Sequence, residues 1–207
     1  MSRTLLIITW GILMQLKIAG QSKWGIENYN YLGIPGTSAI VPIIHFETKG
    51  KFYGELRYNY EAEQTVTVLG GRSFKKEGNL SFRITPQAGF SAGLFTGFTG
   101  AVRLDTEWKN FYFSSQTQQS LGTKKINDSF FFSWSELGYT VRKNFFAGAA
   151  LQYTGRKEKK EFESGIVAGL NFKNFSFPCY LFKPFQQDSH IVLGINYEWS
   201  SGKRARS

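Results

Sequence analysis

The segment Leu137–Tyr153 carries apolar residues at every second position, on both sides of a short polar break at Arg142-Lys143-Asn144. A period of two is the period of a β-strand that has one apolar face. Two such runs joined by a short polar turn predict an antiparallel hairpin. The alternating residues are Leu137, Tyr139, Val141, Phe145, Ala147, Ala149, Leu151 and Tyr153.

The same unit returns at three other places in the chain. Short basic turns flanked by aromatic residues occur at Trp108-Lys109-Asn110-Phe111, at Phe172-Lys173-Asn174-Phe175 and, more loosely, at Lys49-Gly50-Lys51-Phe52. A meander of hairpins along the whole chain predicts an all-β fold, an antiparallel up-and-down transmembrane β-barrel.

The composition supports a barrel in a membrane. The hydrophobic fraction is 42% and the mean hydropathy is −0.27, as expected when only alternate residues face lipid. After the N-terminal segment, no stretch approaches the roughly 18 apolar residues of a membrane-spanning helix, which excludes a helical bundle in lipid. The aromatic fraction is 17%, with 20 Phe and 10 Tyr. Barrels use such residues in girdles at the two membrane interfaces.

The first 20 residues have the pattern of a secretory signal peptide. Arg3 precedes an apolar run over residues 5–16, and small residues mark a cleavage site before Gln21. An uncleaved anchor is the alternative. No composition shift separates a second domain from the rest of the chain. We therefore predict a signal peptide at 1–20, an outer-membrane β-barrel at 21–200 and a basic C-terminal tail at 201–207.

The alternation predicts twelve strands, and the breaks between them set the topology. Short breaks alternate with longer, more charged ones, as periplasmic turns and outer loops do in outer-membrane barrels. Ten strands result instead if residues 24–32 are a periplasmic segment or if the break at 91–93 is not a turn. The predicted strands are 24–32, 39–48, 51–60, 64–74, 79–91, 94–108, 110–120, 129–141, 144–155, 161–172, 175–185 and 189–200. The prolines that fall within them, predicted to lie at bulges or rims because each lacks a ladder donor, are Pro42, Pro86, Pro178 and Pro184.

Each predicted strand has an apolar face and a polar face, and we assign the polar face to the lumen. The reverse arrangement would place ionised groups in hydrocarbon, at about 2–4 kcal/mol for each Arg or Lys near the midplane. Residues of both charge signs then line the lumen, either as an ion-pair network that fills a narrow barrel or as a network along a conducting path. The predicted lumen-lining residues are His45, Glu47, Glu55, Arg57, Arg83, Arg103, Asp105, Glu107, His190 and Glu198.

Aromatic residues next to the short turns and near the end of the last strand predict a second feature. Aromatic rings prefer the boundary between the apolar core of a membrane and water. Because the short turns lie on one side of the barrel, these residues should form one girdle at the periplasmic interface. They are Trp108, Phe111, Phe145, Phe172, Phe175 and Trp199.

The sequence offers few candidates for catalysis. His45 and His190 lack a serine two residues away, and Asp188 near His190 is a weak signal for a protease-like pair. No metal-binding, nucleotide-binding or paired-cysteine motif occurs, and Cys179 is the single cysteine. We therefore predict no catalytic residue, no metal site and no cofactor. An enzyme that modifies lipid or peptide at the outer leaflet is the alternative.

The signal peptide, the Lys-Asn turns and strands such as GELRYNYE and GINYEW resemble those of small outer-membrane β-barrel proteins of Bacteroidota-type Gram-negative bacteria. The resemblance implies a location in the cell outer membrane, among its lipids. It also implies assembly by the barrel assembly machinery, which recognises an aromatic residue at the end of the last strand. Trp199 would be that residue, but here residues 200–207 follow it.

The formal net charge of +10 is scattered over turns, loops and the C-terminal tail. No basic stripe lies on a recognisable nucleic-acid-binding module, so contacts with lipid phosphates explain it better than nucleic acid does. The predicted function is that of a non-enzymatic barrel, either a structural protein or a narrow passive channel. A surface-binding module that acts through loops 121–128 and 156–160 is a further alternative.

Overall fold

The computed structural model describes residues 22–33, 40–123 and 129–201. These residues form twelve antiparallel strands, of which the fourth is interrupted at Ser73. Among the described residues no helix is long and apolar enough to cross a membrane. The strands are β1 (Ser22–Leu32), β2 (Ile40–Glu47), β3 (Phe52–Tyr58), β4 (Val66–Arg72 and Phe74–Lys76), β5 (Leu80–Ala92), β6 (Gly97–Trp108), β7 (Phe111–Gly122), β8 (Phe130–Arg142), β9 (Phe145–Arg156), β10 (Lys160–Phe172), β11 (Phe175–Phe182) and β12 (His190–Ser201).

Each strand pairs with its neighbours in the sequence, and the first and last strands pair with each other. The β1–β12 ladder runs from Ser22↔Ser201 to Leu32↔Ile191. This ladder closes the sheet, so the protein is an up-and-down barrel without free edges. The predicted twelve-stranded barrel is confirmed. The ten-stranded alternative is wrong, because β1 is the strand that completes the closure.

The two ends of the barrel differ in their connections. Two-residue turns lie at Lys109-Asn110, Lys143-Asn144 and Lys173-Asn174, at the end where β1 begins and β12 ends. We call this the turn end. The opposite end, the loop end, carries longer connections such as residues 59–65 and 183–189. Because outer-membrane barrels keep their short turns in the periplasm, we predict that the turn end faces the periplasm.

The outer surface of the barrel is mainly apolar. In β12, Ile191, Leu193 and Ile195 are 40–48% exposed, whereas the alternate residues His190 and Val192 are 5% and 0% exposed. A barrel with its apolar residues outside and its ionisable residues inside suits a lipid environment.

A small hydroxyl patch on β7 and β8 interrupts the apolar outer surface. The Ser115 and Ser135 hydroxyls lie 2.9 Å apart, and those of Thr117 and Ser133 lie 3.0 Å apart. The two hydroxyls of each pair hydrogen-bond to each other, which lowers the free-energy cost of placing them against hydrocarbon.

The prolines within strands coincide with gaps in the pairing. The β2–β3 ladder begins one residue after Pro42, and the β11–β12 ladder skips Pro178. Pro86 lies near the interruption of β4 at Ser73. Each gap falls where a proline has no N–H to donate. Pro184 lies in the loop after β11, outside any strand.

The buried core lies inside the barrel. It brings together inward-facing residues of β9 to β12, with tyrosines and a tryptophan of other strands packed against them. The members of this cluster are Phe146, Ala150, Val167, Tyr180, Phe182 and Val192.

Candidate functional site

Charged side chains meet across the lumen from strands that are not neighbours. Arg57 on β3 donates to the Gln118 side chain on β7 at 2.6 Å. Arg103 on β6 donates to the Glu27 carboxylate on β1 at 3.3 Å. Side chains of non-adjacent strands can touch only through the inside of a barrel, so these contacts define a polar interior.

Arg57 is the centre of a closed cluster in the half of the lumen near the loop end. Its side chain is fully buried and donates to the Glu55 carboxylate and to Glu61 Oε1 at 3.4 Å. Its guanidinium carbon lies 4.4 Å from the centre of the Tyr60 ring. Burial raises the pKa of the Tyr60 phenol above its ordinary value. One guanidinium therefore forms ion pairs with two buried carboxylates.

A second cluster surrounds Glu27 at mid-height. Arg103 lies on one side of this carboxylate, and the His45 Nε2 atom lies 3.2 Å from it on another. The Tyr29 hydroxyl donates to Glu27 Oε2 at 2.9 Å. His45 also stacks on Tyr53 at a ring distance of 5.8 Å. The carboxylate is thus enclosed by donors from two strands, β1 and β6, and by the imidazole of a third, β2.

A chain of ion pairs extends from Arg103 towards the turn end. Arg103 Nε lies 3.6 Å from Asp105, which accepts from Arg83 Nε at 2.9 Å. Arg83 lies 4.0 Å from the Glu47 carboxylate, which also accepts from Lys75. Opposite charges alternate along this chain, so each ionised group has a partner.

Glu136 differs from the other inner carboxylates because its hydrogen-bond donors are neutral. The Tyr180 hydroxyl donates to Glu136 Oε2 at 2.8 Å, and the Tyr112 hydroxyl donates to Oε1. Tyr112 can lie there because residue 138 is glycine: a Cβ on Gly138 would be 2.2 Å from Tyr112 Cζ. Trp134 packs edge-on against Tyr180 at 5.0 Å. This side of the lumen is an aromatic wall.

The sequence candidate Asp188–His190 does not form a carboxylate–imidazole pair. The Asp188 carboxylate accepts from Lys183 Nζ at 2.7 Å, and His190 Nδ1 lies 3.4 Å from the backbone oxygen of Asp188. Lys183 also pairs with Glu163 at 2.7 Å. These hydrogen bonds raise the pKa of Lys183 and lower that of Asp188. His190 instead stacks on Phe182 at 5.4 Å.

The lumen is wide at the turn end and narrow above it. A cavity of about 740 Å³ opens at the turn end, where Glu107 and Glu198 line it. It leads past Glu27, Arg103 and Glu136 to a cavity of only about 80 Å³, which Tyr60 also lines. Above that level, the buried Arg57 cluster and the ring pairs Tyr60–Phe132 and Phe95–Phe130 pack inside the barrel.

Eight of the ten predicted lumen residues contact other inner side chains, and Glu107 and Glu198 line the wide cavity. Sequence reasoning missed several other inner residues. Tyrosines and a tryptophan look like lipid-facing residues in an alternation pattern, and Glu61 lies in a loop, where alternation gives no signal. The missed residues are Glu27, Tyr29, Tyr60, Glu61, Tyr112, Gln118, Trp134, Glu136, Glu163 and Tyr180.

The six predicted girdle residues all lie at the turn end, beside short turns or near the end of β12. The turn residues are 37–58% exposed. Trp108 and Phe111 stack with ring centres 6.1 Å apart. Trp199 stacks on Trp24 at 6.2 Å, a tryptophan that the sequence analysis did not include. Their position at a membrane interface stays a prediction.

No metal site is visible in the described part of the chain. No group of three or more His, Cys, Asp or Glu side chains there could hold a metal ion. Cys179 is exposed and lies on the outer face of β11.

Comparison with solved structures finds porins. The KdgM porin in complex with disordered oligogalacturonate has a TM-score of 0.58 at 10% sequence identity, covering 84% of this chain and 98% of that one. The NanC porin has a TM-score of 0.53 at 10% identity, covering 87% and 100%. The OccK3 (OpdO) structure from Pseudomonas aeruginosa has a TM-score of 0.51 at 10% identity, covering 90% and 67%. No protein-family model and no curated protein matches the chain.

At this level of identity the likeness shows the fold. The chain is an outer-membrane β-barrel. Its closed sheet and apolar outer surface agree with that fold, and they place the protein in the cell outer membrane, in contact with its lipids.

Proposed function

We propose that this barrel is a non-enzymatic, narrow passive channel with a mixed-charge lumen. The observation that carries the proposal is the set of ion pairs across the interior, from Arg103–Glu27 to Arg83–Asp105. They leave a wide cavity at the turn end and a much narrower one above it. Charged constrictions of this kind select solutes by size and charge in known channels.

The inner surface favours small solutes that are neutral, zwitterionic or weakly cationic. Among the inner side chains of the paired network, carboxylates outnumber basic groups, seven to five without the histidines. The charged residues that line the wide cavity are balanced, four acids against four basic residues. The KdgM porin structure is a complex with disordered oligogalacturonate, which carries several carboxylates, and an acidic constriction would repel such a solute. The carboxylates are Glu27, Glu47, Glu55, Glu61, Asp105, Glu136 and Glu163; the basic residues are Arg57, Lys75, Arg83, Arg103 and Lys183.

The fully buried Arg57 cluster supports the alternative of a purely structural barrel. If the loop-end half stays packed as described, water and ions have no continuous path. The two forms of the proposal therefore differ in one measurable property, the conductance of the reconstituted protein.

Two contacts support a non-enzymatic role. The Asp188 carboxylate bonds Lys183 instead of His190, and His45 lies between Glu27 and Tyr53 in the interior. His45→Ala and His190→Ala variants should therefore match wild type in lipid A modification and peptidase assays. Loss of an activity in either variant would contradict this part of the proposal.

Assembly by the barrel assembly machinery and an origin in a Bacteroidota-type bacterium are also part of this proposal. The stacked Tyr197 and Trp199 near the end of β12, 5.4 Å apart, support recognition of a terminal aromatic residue. The predicted signal peptide and the residues after Ser201 lie outside the described residues.

Single-channel recording in planar bilayers tests the proposal. Wild type should give a small conductance with a modest cation preference, and Arg103→Ala should raise the conductance because it removes a side chain that lines both cavities. Val102→Ala is the matched control, since Val102 is 41% exposed on the outer face of the same strand. If wild type and both variants give no current above background, the channel is ruled out and the purely structural barrel is the remaining form of the proposal.

A further inference from the structure

The exposed charges are distributed unequally between the two ends of the barrel. In the described chain, the turn end carries nine exposed basic residues and three exposed acidic ones. The loop end carries four exposed basic residues and three exposed acidic ones. The turn-end residues are Lys23, Lys49, Lys51, Arg72, Lys76, Lys109, Arg142, Lys143 and Lys173, against Glu77, Glu107 and Glu198. The loop-end residues are Arg156, Lys157, Lys159 and Lys160, against Glu63, Glu158 and Asp188.

Three of the turn-end lysines occupy a backbone conformation that favours glycine. Lys51, Lys109 and Lys173 have φ angles of 64°, 55° and 54°. A side chain other than glycine is strained there, and such strain is retained where the residue has another role. All three lie in connections of two to four residues at the same end.

The same lysines lie beside exposed aromatic residues of the outer surface. Lys109 Nζ is 4.9 Å from the centre of the Trp108 ring, and Lys173 Nζ is 5.3 Å from that of Phe172. Lys51 directly precedes Phe52, which is 52% exposed. Cation–π contact holds the two ammonium groups at the level of outward-facing rings. In a membrane that level is the headgroup region.

These lysines also differ from Lys183, which has a similar φ of 49°. Lys183 lies at the loop end and bonds the carboxylates of Glu163 and Asp188. Within the described residues, neither Lys51, Lys109 nor Lys173 pairs with a carboxylate. Their charges are therefore available to an external anion.

We propose that Lys51, Lys109 and Lys173 form a collar that binds the phosphates of anionic phospholipids in the periplasmic leaflet of the outer membrane. The rings beside them enter the headgroup boundary while the ammonium groups meet phosphate. The basic surroundings at this end add a longer-range attraction for an anionic membrane surface. Lys109 and Lys173 also line the rim of the wide cavity, so the test below measures lipid binding and not conductance.

The test compares the heat-modifiable transition of the folded barrel in two kinds of vesicle, phosphatidylcholine alone and phosphatidylcholine with phosphatidylglycerol. The anionic lipid should raise the transition temperature of wild type. The triple variant Lys51→Asn, Lys109→Asn and Lys173→Asn should lose at least half of that rise, and native mass spectrometry should show fewer retained phosphatidylglycerol molecules. Asparagine tolerates a positive φ, so folding in the neutral vesicles should be unchanged.

The matched control is Lys157→Asn, Lys159→Asn and Lys160→Asn, which removes the same charge at the loop end. It should keep the full rise. A Lys→Gly version of the collar variant serves if the asparagines impair folding, because glycine adopts these φ angles freely.

Three outcomes would overturn the proposal. The collar variant could keep the wild-type rise, or the loop-end control could lose as much of it. Soluble glycerol phosphate could reproduce the rise in neutral vesicles, which would indicate a site for a free anion or for a soluble anionic partner instead of a lipid surface.

Discussion

Removal of the Arg57 side chain should destabilise the barrel more than any other single charge deletion in the lumen. In Arg57→Leu, the carboxylates of Glu55 and Glu61 lose the buried cation that they share, and the Gln118 amide oxygen loses its donor. Leaving one partner of a buried ion pair uncompensated costs about 3–5 kcal/mol. We expect a loss of about 4 kcal/mol in the free energy of unfolding.

Two comparison variants isolate the cause. Arg57→Leu combined with Glu55→Gln and Glu61→Gln leaves no unpaired charge, so most of the lost stability should return. Arg83→Leu removes a guanidinium whose side chain is 34% exposed, and a solvated pair contributes only about 0–1 kcal/mol. The difference between Arg57→Leu and Arg83→Leu thus measures how dry the loop-end half of the lumen is.

Guanidinium chloride unfolding in lipid vesicles, followed by tryptophan emission and by unboiled gel migration, gives the free energies. A loss below about 1 kcal/mol in Arg57→Leu, similar to that of an exposed pair, would refute the argument. Water would then reach the cluster, and the packed upper lumen described above would not exist in the membrane.

Three further predictions concern the girdle, a loop and the aromatic wall. With the other tryptophans replaced by Phe, Trp108 should be quenched more by lipids brominated near the headgroup than by lipids brominated at the chain ends. Lys183 lowers the pKa of Asp188, so their link is complete above about pH 4 and is lost as the pH falls through the lowered pKa. Amide exchange of loop 183–189, corrected for its intrinsic rate, should rise at low pH in wild type and at neutral pH in Lys183→Gln. Gly138→Val should cost about 1–3 kcal/mol of unfolding free energy in denaturant titrations, because it displaces Tyr112.

The architecture could be predicted because it depends on local pattern. A period of two, repeated between short turns, defines each strand and its lipid-facing side. Alternating turn lengths then give the topology. Counting residues 24–32 as the first strand gives an even number of strands, which can close into a barrel. The structure confirms each of these steps, with strand ends that differ from the predicted ones by about three residues at most.

The inner contacts could not be predicted in the same way. Alternation states that Arg57 and Arg103 face inward, but it does not state which residues they meet. Gln118 is 61 residues from Arg57, and Glu27 is 76 residues from Arg103. These partners are set by the way twelve strands curve around one lumen, which is a property of the closed barrel and not of any one hairpin.

Tyr29 and Tyr180 show a second limit of the pattern. Each is aromatic, and an aromatic residue on a barrel strand is typically assigned to the lipid side. Here their hydroxyls bond the inner carboxylates Glu27 and Glu136. A phenol gives a carboxylate a hydrogen bond without adding a positive charge. The paired network of inner side chains therefore holds more carboxylates than basic groups, and for this reason we expect a cation preference if the lumen conducts.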